Sequence, residues 1–474
     1  LCNNCWCTRL LLDRKMISPT LMLILSLQLP LCILCAPLQL QAGFKASASG
    51  FSSPFLPILD EPSQRFAFGF LRIDDSNLTL AVAHLPSLQP LWQLSLSFSK
   101  KATLLFNGSI VVSDPNAASF WSTSTVGDTV RLLNNSNLVI ERETTTIWES
   151  FLFPFNTLVE SQIFTSHMAL VSSNKLYSMR LGDDFIAMYA SFNPGKHQMY
   201  WKHRALEAKA AIVPGNGSIY ATVQPEGFFG MYQNGTGPPV DVQPFNSYNR
   251  PVDGFTIAQL EPDGNFKSYF YNGSRWVLDF QAISSLCELP NPCGFFGLCR
   301  PESGSGSCSC LDNRTDFASG SCSKVDLSGD FCEGEEFDTL RVKGVELPFK
   351  ELMGSETALS EDVCEENCLG NCTCWGALYN NLTGSCYLID YPTRTMVKSS
   401  SDYKVGIFKV KKVGKKRRLK MGVGLGILVA AIVALSGAIG FAVSRAWREK
   451  RKRKLVLEED EVECNSARTF EIRS

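Results

Sequence analysis

Short apolar runs separated by polar turns fill residues 43–285, and their alternation is typical of strands. Phe66, Phe68 and Phe70 recur at every second position, which places three large side chains on one face of a strand. Helical periodicity does not extend beyond two turns in this region. Because the region is too long for one small sandwich, the pattern predicts two β domains with a boundary near 160–175.

Two longer apolar segments lie outside this region. Residues 16–42 end in a small residue, Ala42, and favour a secretory signal peptide over a membrane anchor. Residues 1–15 precede Met16 and are interpreted as a non-native or untranslated-region-derived segment. Met421 to Ser444 holds 24 residues without a charge, which predicts a transmembrane helix rather than a buried core helix, with 445–474 as a cytoplasmic tail.

Charge and glycosylation sequons bear on topology. The net charge of −1 gives no reason to expect nucleic acid as a partner, and basic blocks at 409–420 and 445–454 flank the apolar segment on both sides. All the N-x-S/T sequons precede that segment, so we expect a single-pass type I protein of the plasma membrane with its N-terminus extracellular. The predicted glycosylation sites are Asn77, Asn107, Asn134, Asn216, Asn234, Asn272, Asn313, Asn371 and Asn381.

Cysteines are concentrated in one part of the chain. Of 18 in all, 12 lie between Cys287 and Cys386, after a long stretch without any. The spacing C-x3-C-x3-C-x-C that starts at Cys364 would also allow zinc ligation by thiolates. An oxidising compartment and an even number of cysteines favour disulfides instead, and no metal site is predicted. Ser360 is the expected N-cap of a short helix that carries Cys364 and Cys368 on one face.

Residues 287–323 are too short to bury a core of their own. Their spacing, C-x5-C-x5-C-x8-C-x-C-x11-C, resembles an EGF-like module, although spacing alone leaves the connectivity open. The module's usual pairing implies Cys287–Cys299, Cys293–Cys308 and Cys310–Cys322. Calcium-binding members carry acidic residues before the first cysteine; residues 281–286 carry none, so calcium and other cofactors are not expected.

Several segments together resemble one family. Arg65–Phe70, Phe120–Thr123, Leu132–Val139 and Ile147–Phe151 are similar, in order, to the bulb-type lectin domain of plant S-locus glycoproteins and S-domain receptor kinases. Residues 260–265 and 287–294 resemble the region that follows, and 364–386 resembles the family's PAN/apple domain. The chain is identified as a kinase-less, PAN domain-containing membrane member.

The resemblance implies a mainly β architecture with disulfide-rich modules. Its expected order is a bulb-type lectin-like β-prism (43–165), a second lectin-like or S-locus glycoprotein region (166–286), the EGF-like module (287–323), a PAN/apple-like domain (330–409) and one transmembrane helix (421–444). The family's PAN pattern suggests Cys364–Cys386 and Cys368–Cys374, which leaves Cys332–Cys372. Because Cys372 is itself a predicted disulfide half, Asn371 is the sequon expected to be occupied least.

Mannose sites of this family use Q-x-D-x-N-x-V-x-Y, and this chain departs from that pattern. The alignment at Leu133–Glu141 keeps only Asn137 and Val139, with Asn135 at the Asp position. A second alignment, at 105–113, keeps only its Val. A third, at Glu261–Tyr269, retains Asp263, Asn265 and Tyr269. Since an apolar residue in place of Gln cannot bond a sugar hydroxyl, we interpret these positions mainly as degenerate sites kept for folding.

Catalysis has little support in the sequence. The four histidines, His84, His167, His197 and His203, lie in no recognised nucleophile or phosphate-binding motif, so an enzyme is not predicted. We expect a recognition glycoprotein that binds a peptide, protein or carbohydrate and signals through a partner kinase in the membrane; the alternative is an adhesive protein that links membrane to wall glycans. Small residues at intervals of four would permit helix self-association, at Gly422, Gly426, Ala430, Ala434, Ala438 and Ala442.

Overall fold

The computed structural model describes residues 36–468, apart from 51, 116–118, 194, 205–216, 234–236, 250–253, 302–305, 313–316, 319–320, 323–330, 332–336 and 412–420. Of the helical residues, the side chains of 421–428 and 454–468 are also outside the described set. Several sequence-based expectations therefore lie outside it: residues 16–35 of the signal peptide, Cys332, Asn216, Asn234, Asn313, Gly422 and Gly426. The predicted end of the signal peptide at Ala42 is corrected by the structure, because Gln39–Gln41 forms a strand paired with Thr129–Arg131 and Leu40 is buried in the core. Described residues form two compact units, one ending at Val410 and one starting at Lys411.

The first β-prism consists of three antiparallel sheets, with strand orders β3-β4-β5-β6 (β7 pairs with β5), β2-β8-β9-β10 and β1-β11-β12-β13. Phe66, Phe68 and Phe70 of β4 are all fully buried, which confirms the predicted inward face. The strands are β1 (Gln39–Gln41), β2 (Phe44–Ser47), β3 (Phe55–Asp60), β4 (Phe66–Arg72), β5 (Asn77–His84), β6 (Gln89–Gln93), β7 (Phe98–Ser99), β8 (Thr103–Phe106), β9 (Ile110–Asp114), β10 (Ser119–Ser122), β11 (Thr129–Leu132), β12 (Leu138–Arg142) and β13 (Thr145–Glu149).

The second β-prism also has three sheets, ordered β14-β22-β23-β24, β15-β16-β17-β18 and β19-β20-β21. Its first strand, β14, pairs with β22, with Thr157 opposite Gln259, 102 residues later in the chain. The strands are β14 (Thr157–Val159), β15 (Ala169–Val171), β16 (Tyr177–Leu181), β17 (Phe185–Asn193), β18 (Lys196–Arg204), β19 (Tyr220–Gln224), β20 (Phe228–Tyr232), β21 (Asp241–Pro244), β22 (Phe255–Leu260), β23 (Phe266–Tyr271) and β24 (Trp276–Gln281).

The two prisms share residues at their boundary. Val159, Phe255 and Ile257 belong to the core of the first prism, whereas their neighbours Leu158 and Ala258 belong to the core of the second. This division follows from the pleat, because successive side chains of β14 and β22 point to opposite faces. The strands of the second prism therefore close the core of the first.

The cysteine-rich segment and the PAN domain share a sheet, with the order β26-β25-β34-β30. The pairing of β25 with β34 is parallel, with Leu298 opposite Met396. One hydrophobic core runs from Leu158 through this segment to Phe408. The sequence divides these parts into separate modules, but they are packed as one body with the second prism. The strands of the segment are β25 (Gly297–Arg300), β26 (Ser307–Cys310), β27 (Phe317–Ala318) and β28 (Ser321–Cys322).

The PAN domain has a five-stranded sheet, ordered β29-β35-β32-β33-β31, and a helix α1 (Glu361–Leu369) that contacts β32. The Ser360 side chain accepts a hydrogen bond from the Val363 N–H, which confirms the predicted N-cap. The strands are β29 (Phe337–Lys343), β30 (Val345–Glu346), β31 (Glu356–Thr357), β32 (Gly376–Asn380), β33 (Ser385–Ile389), β34 (Met396–Lys398) and β35 (Lys404–Lys411); short 3-10 turns occupy Ser150–Leu152, Leu286–Glu288 and Lys350–Leu352.

The structure differs from the sequence-based expectation at Lys409, which the sequence counts in the basic flank at 409–420. Its side chain is buried in the PAN domain, 1% exposed. The ammonium group donates to the carbonyls of Asn371 (2.9 Å) and Leu369 (3.4 Å), and it lies 5.0 Å from the ring centroids of both Phe331 and Phe337. Lys409 thus bonds the C-terminal carbonyl of α1, where the helix dipole favours a cation.

The second unit contains the helix α2 (Met421–Arg468). Within it, Val429–Arg453 is long and apolar enough to cross a membrane. By length and composition this is the single candidate span among the described helices. Together with the relatives reported below, it indicates a single-pass membrane protein.

Candidate ligand-binding site

Two turns correspond to the predicted sugar positions, and they have the same backbone. In the first, the Leu133 N–H donates to the Asn137 carbonyl (2.9 Å), and Asn135 Oδ1 accepts from the Asn137 N–H (3.1 Å). In the second, Glu261, Asp263 and Asn265 make the equivalent bonds at 2.9 and 2.8 Å. The fourth residue has a positive φ in both, 72° at Ser136 and 84° at Gly264.

The side chains of the first turn are used by the fold. Asn137 is 4% exposed, and its amide donates to Glu149 Oε2 at 2.6 Å. Its Oδ1 accepts from the Ser150 hydroxyl (3.1 Å) and the Phe151 N–H (3.2 Å). Val139 is buried in strand β12. Neither residue offers a free polar group to a sugar.

The second turn is closed by its own residues. Asn265 is 2% exposed and exchanges two hydrogen bonds with the backbone of Ile283, at 2.7 and 3.0 Å. The Tyr269 hydroxyl donates to Glu261 Oε1 (2.8 Å), and Lys267 pairs with Asp263 (2.9 Å). Burial, and then the Glu261 carboxylate, raise the pKa of Tyr269. A saccharide at this position would have to break these contacts.

An open cavity of about 330 Å³ lies in the first prism, apart from these turns. Its aromatic walls include Trp92 of β6, Trp121 of β10 and Trp148 of β13, so each of the three sheets contributes one indole. The three ring centroids are 6.1 to 6.4 Å apart. Phe153 stacks on Trp148 with an interplanar angle of 11°, and its side chain is 55% exposed.

Sequence reasoning missed this cavity, although a signal was present. The three tryptophans are spaced 29 and 27 residues apart, which is the period of one four-stranded sheet in this prism. Pocket-sized concavities with aromatic walls and a few polar groups are the usual places for small ligands. The cavity is therefore the better candidate site.

Three of the four histidines each bond one hydroxyl or carboxylate, without a triad among the residues that the structure describes. His84 Nδ1 bonds the Ser87 hydroxyl (2.8 Å), His197 Nδ1 bonds the Ser191 hydroxyl (2.9 Å), and His203 Nε2 bonds Asp241 (2.6 Å). His84 is packed among Phe255, Tyr271 and Trp276. Burial, aided by the charge of Arg65, lowers the pKa of His84 to about 4.

Five disulfides are present in the described part of the chain, in pairs that the resemblance implies. They are Cys287–Cys299, Cys293–Cys308, Cys310–Cys322, Cys364–Cys386 and Cys368–Cys374. Cys372 is also disulfide-bonded. Among the described sequons, five asparagines are exposed and Asn77 is half-buried; the five are Asn107, Asn134, Asn272, Asn371 and Asn381.

Matches to known families agree with this architecture. A model of the S-locus glycoprotein domain matches residues 244–314, and a model of the PAN domain matches residues 332–409. Tandem β-prisms followed by a PAN domain define the class: a lectin-like, S-domain type of protein.

Relatives identify the family within this class. The chain is 48% identical over 430 residues to a PAN domain-containing protein of Arabidopsis thaliana, covering 89% of this chain and 88% of the relative. The chain belongs to this family of PAN domain-containing proteins.

More distant relatives carry kinases. The chain is 27% and 28% identical to two G-type lectin S-receptor-like serine/threonine-protein kinases of Arabidopsis thaliana, and it spans only 44% and 40% of their length. A Japanese Marasmius oreades lectin matches 27% of this chain with a TM-score of 0.20, which is too low to support an argument.

Proposed function

We propose that this protein is a cell-surface recognition protein that binds an extracellular ligand and signals through a kinase-bearing partner in the membrane. The observation that carries the proposal is the open aromatic cavity in a lectin-like prism, in a chain that aligns with the lectin-like S-receptor kinases over part of their length. A small ligand held there would contact all three sheets of the prism.

The proposal includes an orientation. The prisms, the EGF-like module and the PAN domain are extracellular at the plasma membrane, they reach it through a signal peptide, and α2 anchors them. Support comes from the sequons, all of which precede α2, and from the disulfides, which are stable in an oxidising compartment. Protease protection of a C-terminal epitope in sealed microsomes, with glycosidase sensitivity of the prisms, tests this orientation.

Ligand-dependent association with a kinase is the decisive test of the proposed function. The full-length tagged protein, expressed in plant cells, is cross-linked before and after treatment with apoplastic fluid and analysed for co-purified kinases. A kinase enriched only after treatment supports the proposal. An adhesive protein would instead fractionate with wall polysaccharide under both conditions, without an enriched kinase.

The proposal also includes self-association of α2, which a separate assay tests. Ala430, Ala434, Ala438 and Ala442 form a row of small residues on the helix, and such rows allow two helix backbones to approach closely. In a transmembrane reporter assay, Ala434→Leu reduces dimerisation if this row is the contact. Unchanged self-association of the variant would exclude it.

A further inference from the structure

One end of the five-stranded PAN sheet carries apolar side chains that the described residues leave in water. Leu359 is 95% exposed, Leu382 is 72% exposed and Tyr403 is 37% exposed. Apolar side chains scattered singly over a surface need no explanation, but a group of them marks a place that something covers. These three residues are called the PAN apolar patch below.

Backbone hydrogen bonds bring Leu359 beside Leu382. Leu382 lies in the turn that joins β32 to β33, and β31 runs antiparallel to β33. The Ala358 N–H continues this pairing by donating to the Gly384 carbonyl (2.9 Å). Because neighbouring strands are about 5 Å apart, Leu359 lies about one strand spacing from the turn.

Tyr403 approaches the same turn from the opposite side. It directly precedes β35, which pairs with β32. The Asn381 N–H, in the turn, donates to the Tyr403 carbonyl (3.0 Å). All three residues of the PAN apolar patch therefore surround one turn at the same end of the sheet.

The fold makes little use of Leu359. This residue directly precedes Ser360, the N-cap of α1, where an apolar side chain usually packs against the fourth residue of the helix. That residue is Cys364, which is fully buried in the disulfide with Cys386. At 95% exposure Leu359 does not pack against it, so its apolar surface is available to another group.

A glycosylation sequon, Asn381-Leu382-Thr383, lies within the patch. Asn381 is exposed, and its side-chain amide has no hydrogen-bond partner among the described residues. The other sequon of the described PAN domain differs, because Asn371 Oδ1 accepts from both the N–H and the hydroxyl of Thr373 at 3.0 Å. Of these two asparagines, Asn381 is thus the one whose side chain is free for attachment.

We propose that an N-linked glycan on Asn381 covers the PAN apolar patch, with its first N-acetylglucosamine packed against Leu382 and Leu359. In the transfer, Asn381 Nδ2 forms a bond to the anomeric carbon of an oligosaccharide. The bond from that carbon to the diphosphate of the lipid carrier breaks, and the amide loses one proton. The acetyl methyl and C–H groups of the sugar remove apolar surface from water, while its hydroxyls stay hydrated.

The attachment point favours the glycan over a protein as the cover. Asn381 directly precedes Leu382 and is bonded through its backbone to Tyr403, so a glycan starts inside the patch. A bulky group there blocks the close approach of a second protein surface. The inference rests on the extracellular orientation included in the proposed function, and it gives one of the predicted glycans a structural role.

The test uses the full-length protein, expressed in plant cells and placed in lipid nanodiscs. Glycopeptide mapping measures the occupancy of every sequon, and hydroxyl-radical footprinting with mass spectrometry measures the labelling of Leu359 and Leu382. The glycan is removed in two ways, by Asn381→Gln and by a peptide-N-glycosidase applied to the folded wild-type protein. Thr383→Ser keeps the sequon and the turn hydroxyl, and Asn107→Gln removes another exposed sequon, so both are matched controls.

We expect Asn381 to be glycosylated. Labelling of Leu359 and Leu382 should rise about twofold when the glycan is lost by either route, because labelling follows exposed area and the sugar covers about half of it. Asn107→Gln and Thr383→Ser should leave this labelling unchanged.

Unchanged labelling after loss of the glycan would overturn the inference. A second copy or the bilayer as the cover would give protection that persists without the glycan and depends on protein concentration or on the nanodisc, which also overturns it. If Asn381 alone lacks a glycan while other sequons carry one, only this inference fails. If every sequon is unmodified, the proposed extracellular orientation fails.

Discussion

Arg394 connects three parts of the protein, so its substitution is a sharp test of how they are coupled. The residue belongs to the PAN domain and is 8% exposed. Its guanidinium carbon lies 3.8 Å from the ring centroid of Phe295, in the cysteine-rich segment, and 4.7 Å from that of Phe192, in the second prism. Its Nε has no hydrogen-bond partner among the described residues, and burial lowers the pKa of its guanidinium to about 10, so it stays charged at neutral pH.

The expected magnitude follows from these contacts. Two partly desolvated cation–π contacts contribute about 1 kcal/mol each, and the buried aliphatic stem adds packing. The buried charge, which has no ion-pair partner in the described part of the chain, offsets part of this through its desolvation. We expect Arg394→Ala to lower the free energy of unfolding by about 2–4 kcal/mol. Arg394→Met keeps the stem and removes the charge, so its effect should stay within about 1 kcal/mol.

Calorimetry and denaturant unfolding of the full-length protein in nanodiscs check this prediction. Weakening the junction in Arg394→Ala should also separate the unfolding of the PAN domain from that of the second prism, which would appear as two transitions. Equal destabilisation by Ala and Met would show that the guanidinium contacts, and not the packing of the stem, carry the stabilisation. An unchanged single transition in Arg394→Ala would refute the coupling role.

Three further predictions concern single residues. Ser136→Gly should raise the free energy of unfolding by about 1 kcal/mol in denaturant titrations, because Ser136 has φ of 72° and its buried hydroxyl has no partner among the described residues. Gly264→Ala should lower it, because the added Cβ would lie 2.9 Å from Pro290. Opposite signs in these two variants would contradict a shared backbone conformation for the two turns. Lys409→Met should lower the free energy of unfolding by about 1–3 kcal/mol in thermal unfolding, because the carbonyls of Leu369 and Asn371 lose their donor. Wild-type stability of this variant would show that these two hydrogen bonds do not stabilise the fold. His84 has a folded pKa of about 4, below its ordinary 6.5, so the unfolded chain binds more protons between these values. The contribution of neutral His84 to the free energy of unfolding is therefore fully present above pH 6.5 and falls by up to about 3 kcal/mol as the pH drops to 4. In a plot of unfolding free energy against pH, His84→Gln should flatten this decline.

Local patterns predicted local features of this fold. The alternating phenylalanines of β4 and the Ser360 cap of α1 depend on residues a few positions apart, and the structure confirms both. Lys409 was misplaced because a sequence shows its basic neighbours but not the carbonyls of Leu369 and Asn371 that surround it in space. The tryptophan cavity requires three sheets to converge, which no single strand pattern encodes.

The pairing of β14 with β22 has a consequence for the order of folding during synthesis. The first prism lacks Phe255 and Ile257 of its core until they leave the ribosome, although its own thirteen strands end at Glu149. Closing a loop of this length is slow compared with forming a hairpin. About a hundred residues of the second prism must therefore be made while the first is incomplete, and this interval exposes apolar surface to chaperones. Truncations after Gln281 should allow the first prism to fold, whereas truncations before Phe255 should leave it incomplete and aggregate.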